Sequence, residues 1–187
     1  MTALLFPGQG AQAVGMGADL MDSELVTRAI AVVGEEPVLA MREGPAEKLQ
    51  QTSLCQPALF LHSALVLEAA REKIPELSSC VKLGLSLGEY SALYAAGALS
   101  FEDTLRALKV RGEAMQRACE AQGGAMASVI GLDDGRVEEV CDQAREKGVL
   151  QAANYNAPGQ VVISGDAALE RPLHTEMPLS ETGGRIS

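Results

Sequence analysis

The chain has 187 residues, 47% of them hydrophobic and 21% charged. That apolar content argues against a disordered or collagen-like polymer, and the length fits one ordinary domain or one domain with a small inserted lobe. With 25 acidic and 15 basic residues the formal charge is −10, and there are three Tyr, three Phe and no Trp. Neither a cationic face nor an aromatic platform for nucleic acid is therefore expected. Cys55, Cys80, Cys119 and Cys141 form no C-x-x-C pair and have no His at ligand spacing, which argues against a disulfide framework or a metal site. Met1–Pro7 lacks a basic leader, and the apolar stretch Ala58–Leu67, interrupted by His62 and Ser63, is too short to span a bilayer. The expectation is a soluble cytoplasmic protein with no membrane partner.

Along the chain, Ala3–Phe6 reads as a short strand stopped by Pro7-Gly8, and Gly8 and Gly10 permit close backbone approach in the loop that follows. Residues 15–28 predict a helix, and residues 34–51 predict helical turns punctuated by Pro37 and Pro45. Pro57 suits the first turn of a largely apolar helix running to about Lys73. Val81–Leu85 predicts a strand that leads directly into a helix ending near Ala96, closed by Gly97. Ser100 and Asp103 suggest a capping box for a helix carrying Leu105, Leu108 and Met115 at helical spacing.

The character of the chain changes at Gly123-Gly124. A strand (125–132), a helix opened by Asp133 or Asp134 and running to Lys147, and two extended pieces (149–153 and 160–164) follow, with 154–159 as the turn between them. This β-α-β-β order begins a ferredoxin-like lobe, which ordinarily needs a second helix and a fourth strand. A second helix starting near Asp166 meets Arg171-Pro172 within two turns. The remainder, with no period, reads as an irregular tail.

Gly84-Leu85-Ser86-Leu87-Gly88 is the sharpest chemical signal. A serine on a tight strand-to-helix turn exposes its hydroxyl, flanking glycines relieve crowding, and the helix N-terminus supplies N–H groups for a developing oxyanion. Together with Leu5–Gln12, the run Gly84–Leu93, Arg111-Gly112 and Asn154–Gln160, it resembles the malonyl-CoA:acyl carrier protein transacylases, in order and over residues 1 to about 170. The resemblance implies an α/β fold: an α/β-hydrolase-like large domain, incomplete here (1–122), a truncated ferredoxin-like lobe inserted in it (123–170) and the irregular tail (171–187). It implies transfer of malonyl from coenzyme A to acyl carrier protein through a seryl-malonyl intermediate, in fatty-acid biosynthesis. No metal or redox cofactor is implied; coenzyme A serves as substrate carrier.

Carried over from the family, Ser86 is the nucleophile, the backbone N–H groups of Gln9 and Leu87 form the oxyanion hole, and Arg111 grips the malonyl carboxylate. A planar guanidinium suits a two-pronged pair with a carboxylate better than lysine does. Arg106, Lys109 and Arg117 surround Arg111 in sequence with Glu113 as the only near counter-charge, a cationic patch fit for anionic substrates. Asn154 and Asn156 are read as turn-formers, and Glu89 and Tyr90 as structural.

Two departures from the family stand out. Leu85 replaces the histidine usual before the serine. The family's catalytic base is a histidine that follows the lobe, and this chain has only His62, read as structural, and His174 in Pro172-Leu173-His174-Thr175. His174 is either that base, with the lobe's second helix and last strand lost before it, or unrelated. The lack of a supporting strand weighs toward an absent base, a loss worth on the order of 10⁴- to 10⁶-fold in turnover. The chain also reads as a C-terminally shortened member, so apolar faces of the core are expected to lie uncovered. Two other function classes remain: a non-catalytic module binding acyl carrier protein or coenzyme A, and a serine thioesterase or esterase, against which Arg111 argues.

Overall fold

β1 (Ala3–Phe6) and β2 (Val81–Gly84) lie side by side as a parallel pair, with Ala3 opposite Val81 and Phe6 opposite Gly84. Parallel neighbours cannot be joined by a tight turn, and the chain between them supplies a long helical crossover. The computed structural model describes residues 3–79, 81–145, 148–166 and 185–186. Its fold is of the α/β class, and the chain divides into two units, Met1–Gln116 and Arg117–Ser187.

In the first unit the crossover holds α1 (Glu24–Val33), α2 (Glu36–Glu43), α3 (Ala46–Leu49) and α4 (Thr52–Lys73). The Ser23 side chain accepts from the Leu25 N–H and starts α1. The helix expected over 15–28 is therefore a short 3₁₀ turn at Ala18–Leu20 followed by a later, capped α1. α4 also differs from its expectation. It starts at Thr52, so Pro57 lies inside it, where the missing N–H removes the bond to the Ser53 carbonyl. By length and composition α4 could cross a membrane, which a reading of Ala58–Leu67 alone misses. It serves here as the core helix: Leu59, Phe60, Leu61 and Leu65 are buried among Ala29 of α1, Met41 of α2 and Leu49 of α3.

α5 (Leu87–Ala95) follows β2 and α6 (Phe101–Gln122) follows α5. The Ser100 hydroxyl accepts from the Asp103 N–H at 3.1 Å and donates to the Asp103 carboxylate at 2.7 Å, the expected cap. Phe60, Tyr94 and Phe101 lock α4, α5 and α6 together through rings whose centroids are 5.4–5.9 Å apart. Leu105 and Leu108 are fully buried, whereas Met115, expected on the same apolar stripe, is exposed. α5 packs on one face of the β1–β2 pair. The alternate residues Ala3, Leu5, Val81 and Leu83 are exposed, so among the described residues nothing covers this apolar sheet face.

The second unit is an antiparallel sheet of order β4-β5-β3-β6, with β3 (Gly124–Ile130), β4 (Leu150–Ala157), β5 (Gln160–Asp166) and β6 (Arg185–Ile186). α7 (Asp134–Ala144) is capped by Asp133, whose carboxylate accepts from the Arg136 N–H at 2.9 Å. Val137 and Cys141 of α7 pack with Val129, Leu150, Val161 and Ile163 of the sheet. Two readings are corrected here. Residues 154–157 are strand, not turn, and the connection shrinks to Pro158-Gly159, with Gly159 at φ 75°, the type II pattern. The tail expected to be irregular contributes β6, which pairs antiparallel with Val129 and Ile130.

Candidate active site

The site begins where β2 stops. A Cβ on Gly84 would stand 2.0 Å from the Gly88 carbonyl, and one on Gly88 would stand 2.2 Å from the Phe6 carbonyl oxygen. Only glycines let α5 start this close to the sheet, which is the physical content of the G-x-S-x-G spacing. Between them Ser86 adopts φ 54°, ψ −109°, the one non-glycine residue with positive φ among the described residues. A side chain held there stores roughly 1–3 kcal/mol of strain, tolerated because the packed turn leaves no alternative.

Ser86 is the residue just before α5, where the unsatisfied N–H groups and the positive end of the helix dipole favour a developing negative charge. The Pro7–Gly10 loop runs against this turn: a Cβ on Gly8 would sit 3.0 Å from the Leu85 carbonyl oxygen. Gln9 is anchored by its side-chain amide donating to the Thr52 hydroxyl at 3.3 Å. Leu87 is the first residue of α5, so its N–H is among those the helix itself leaves unpaired.

Arg111 reaches Ser86 from α6. Gly112 makes this possible, since a Cβ there would lie 2.9 Å from the Thr52 carbonyl oxygen; α6 thus presses on the first turn of α4. Arg111 Nη2 donates to Ser86 Oγ at 2.7 Å and Nη1 donates to Gln56 Oε1 at 2.8 Å. The Tyr90 ring lies 5.8 Å from the guanidinium carbon, within cation–π range. Tyr90, read from the sequence as structural, therefore also faces the site. The patch expected around Arg111 is partly neutralised, because Arg106 pairs with Asp103 at 2.6 Å.

Gln56 is a site residue that sequence reasoning missed. It is fully buried in an apolar helix, and its one available signal was a polar side chain at a core position, which demands a partner. Beside it, burial pushes the Cys55 thiol up to about 11, which favours its protonated form. His62 packs against Gly17 and lines an apolar groove with Leu4, Pro7 and Val66. It has no hydrogen bond to Ser86 among the described residues. His174, the other candidate base, lies outside the described residues.

Comparison with known proteins gives concordant results. The acyl transferase domain model matches residues 3–172. A malonyl CoA-acyl carrier protein transacylase of Haemophilus influenzae is 44% identical over 175 residues, covering 90% of this chain and 56% of that relative. The solved malonyl CoA-acyl carrier protein transacylase of Clostridium perfringens superposes with a TM-score of 0.81 at 36% identity, over 99% of this chain and 59% of that one. A malonyl-transacylase solved in complex with a type II polyketide synthase acyl-carrier protein gives a TM-score of 0.75 at 35% identity, over 90% of this chain and 56% of that one. The chain thus spans a little over half the length of these relatives.

Proposed function

The chain belongs to the acyl transferase domain family, and we propose that it takes malonyl from coenzyme A onto Ser86 and passes it to the phosphopantetheine thiol of acyl carrier protein, supplying fatty-acid synthesis. The observation that carries this reading is the 2.7 Å contact between Arg111 and Ser86 Oγ. A guanidinium beside a nucleophile has little use in a general esterase, whereas it suits an acyl group with a free carboxylate one methylene from the reacting carbonyl. The names of the relatives, and the carrier-protein complex of one of them, support the same donor and acceptor.

In the first half-reaction Ser86 Oγ attacks the thioester carbonyl, the C–O bond forms, and the C–S bond breaks. The serine proton passes through the base to the departing coenzyme A sulfur. The N–H groups of Leu87 and Gln9 receive the oxyanion, supported by the position of Leu87 at the start of α5 and by the Pro7–Gly10 loop against the Ser86 turn. Arg111 holds the malonyl carboxylate. The second half-reaction runs the same steps in reverse with the carrier thiol as attacker. His174 is the base in this reading.

The finer architecture belongs to the same proposal: an α/β-hydrolase-like core with a ferredoxin-like lobe. The order β4-β5-β3-β6, antiparallel throughout, supports the lobe, since it is the arrangement of a β-α-β-β-α-β unit. A strand-to-helix nucleophile turn on a parallel pair supports the core. A second reading, a module that binds without turnover, is favoured by one observation: the single histidine among the described residues, His62, has no bond to Ser86. Transfer of labelled malonyl from coenzyme A to acyl carrier protein decides between them. We expect transfer that falls by on the order of 10⁴-fold or more in His174→Ala. Binding of malonyl-CoA with no transfer by the unmodified chain supports the module, and equal hydrolysis of malonyl and acetyl thioesters would indicate a thioesterase.

A further inference from the structure

We infer that Gln56 sets the acyl-group specificity of the site, by holding the Arg111 guanidinium in place while leaving its charge unspent. The inference rests on the malonyl-transfer reading of Ser86 and Arg111. Three side chains of the first unit meet the guanidinium: Ser86 from the turn before α5, Tyr90 from α5 and Gln56 from α4. All three are neutral. Among the described residues no carboxylate pairs with Arg111, in a chain with 25 acidic residues where Arg28, Arg42, Arg71, Arg106, Arg136 and Arg145 each have one.

Gln56 is fully buried, so both ends of its amide need partners. Its Oε1 accepts from Arg111 Nη1 at 2.8 Å, and its Nε2 faces only the Met115 thioether at 3.3 Å, a weak acceptor. The amide is thereby oriented with its oxygen toward the arginine. It holds the Nη1 arm of the guanidinium, while Ser86 holds the Nη2 arm, and it cancels no charge. A Glu at this position would be a tethered carboxylate competing with any carboxylate that a substrate brings. The neutral amide is what keeps a partly buried cation unpaired beside the nucleophile, and such a cation rewards an acyl group that ends in an anion and penalises one that does not. Gln56 is thus a positioning and specificity residue that acts through Arg111.

The test compares wild type, Gln56→Glu and Gln56→Ala with two ligands, malonyl-CoA and its neutral isostere malonamyl-CoA, measuring binding by calorimetry on Ser86→Ala backgrounds and Ser86 loading rates on active ones. Gln56→Glu should weaken malonyl-CoA binding by on the order of 100-fold while leaving malonamyl-CoA within about twofold, so that the preference for the anion collapses. Gln56→Ala, which keeps the charge and loses the orientation, should cost malonyl loading about tenfold and retain most of the preference. A merely structural role would lower both ligands alike in Gln56→Glu, and that result overturns the inference. So does an unchanged preference. Failure of the wild-type chain to favour malonyl-CoA over its amide overturns the reading of Arg111 itself, and the inference with it.

Discussion

The two sheets of this protein differ in what their outer faces are made of. Each has a helix on one side, α5 on the parallel β1–β2 pair and α7 on the antiparallel sheet. The outer face of the antiparallel sheet mixes Met126, Ile130 and Val162 with Ser128, Ser164 and Gln160, polar side chains that can meet water. The outer face of the parallel pair carries Ala3, Leu5, Val81 and Leu83, with Leu5 at 74% and Leu83 at 52% exposure. Antiparallel sheets tolerate one wet face, whereas parallel sheets are built for cover on both. The sheet that carries Ser86 is therefore the one whose sequence calls for a further layer, in a chain that spans little more than half of its relatives' length.

Lysine substitutions break this comparison most severely. Val161→Lys buries a charge in the fully enclosed interior of the antiparallel unit and should cost on the order of 4 kcal/mol, read by urea unfolding. The same change at Leu83 should stay within about 0.5 kcal/mol and reduce self-association. Equal losses at the two positions would mean that the outer face of the parallel pair is covered after all. Next in size is Gly88→Ala, whose Cβ would stand 2.2 Å from the Phe6 carbonyl oxygen. We expect about 3 kcal/mol of destabilisation together with loss of Ser86 loading, because the turn must open to admit a methyl group. Loading at the wild-type rate would show that the turn has slack that its backbone angles deny.

The smallest effect concerns pH. Burial lowers the pKa of His62 below its ordinary 6.5, with Asp19 pulling it partly back. The folded state therefore binds fewer protons than the unfolded chain just below that value. The contribution of His62 is complete above pH 6.5 and is lost as pH falls through the depressed value. His62→Gln should flatten the acid limb of a stability–pH curve, and an unaltered limb would assign the acid sensitivity to other groups.

Much of this site was legible because its chemistry forces local sequence. A serine squeezed between two glycines at a strand end is a consequence of close backbone approach and could be read from spacing, whereas Arg111-Gly112 was marked only by the family resemblance; the structure brings Arg111 to Ser86. Gln56 was not legible in the same way, since its role depends on a contact with a residue 55 positions away. The start of α4 was misplaced because Pro57 suits a first turn by itself, while the burial of Leu54 and Cys55 extends the helix back to Thr52. Asn154 and Asn156 favour turns locally, yet Asn154 pairs with Val162, Asn156 lies within β4 at a register shift, and the reversal is left to Pro158-Gly159. β6 is two residues with no period to read, and only its partner β3 defines it.

The most direct measurement is the intact mass of the chain after brief exposure to malonyl-CoA or acetyl-CoA, followed by peptide mapping. A hydroxyl at the start of α5 with a guanidinium 2.7 Å away should take up one malonyl group, mapped to Ser86, in large excess over acetyl. The adduct should vanish in Ser86→Ala, and the excess should vanish in Arg111→Ala. A malonyl group found on another residue, no adduct at all, or equal uptake of acetyl would contradict the assignment of Ser86 and Arg111.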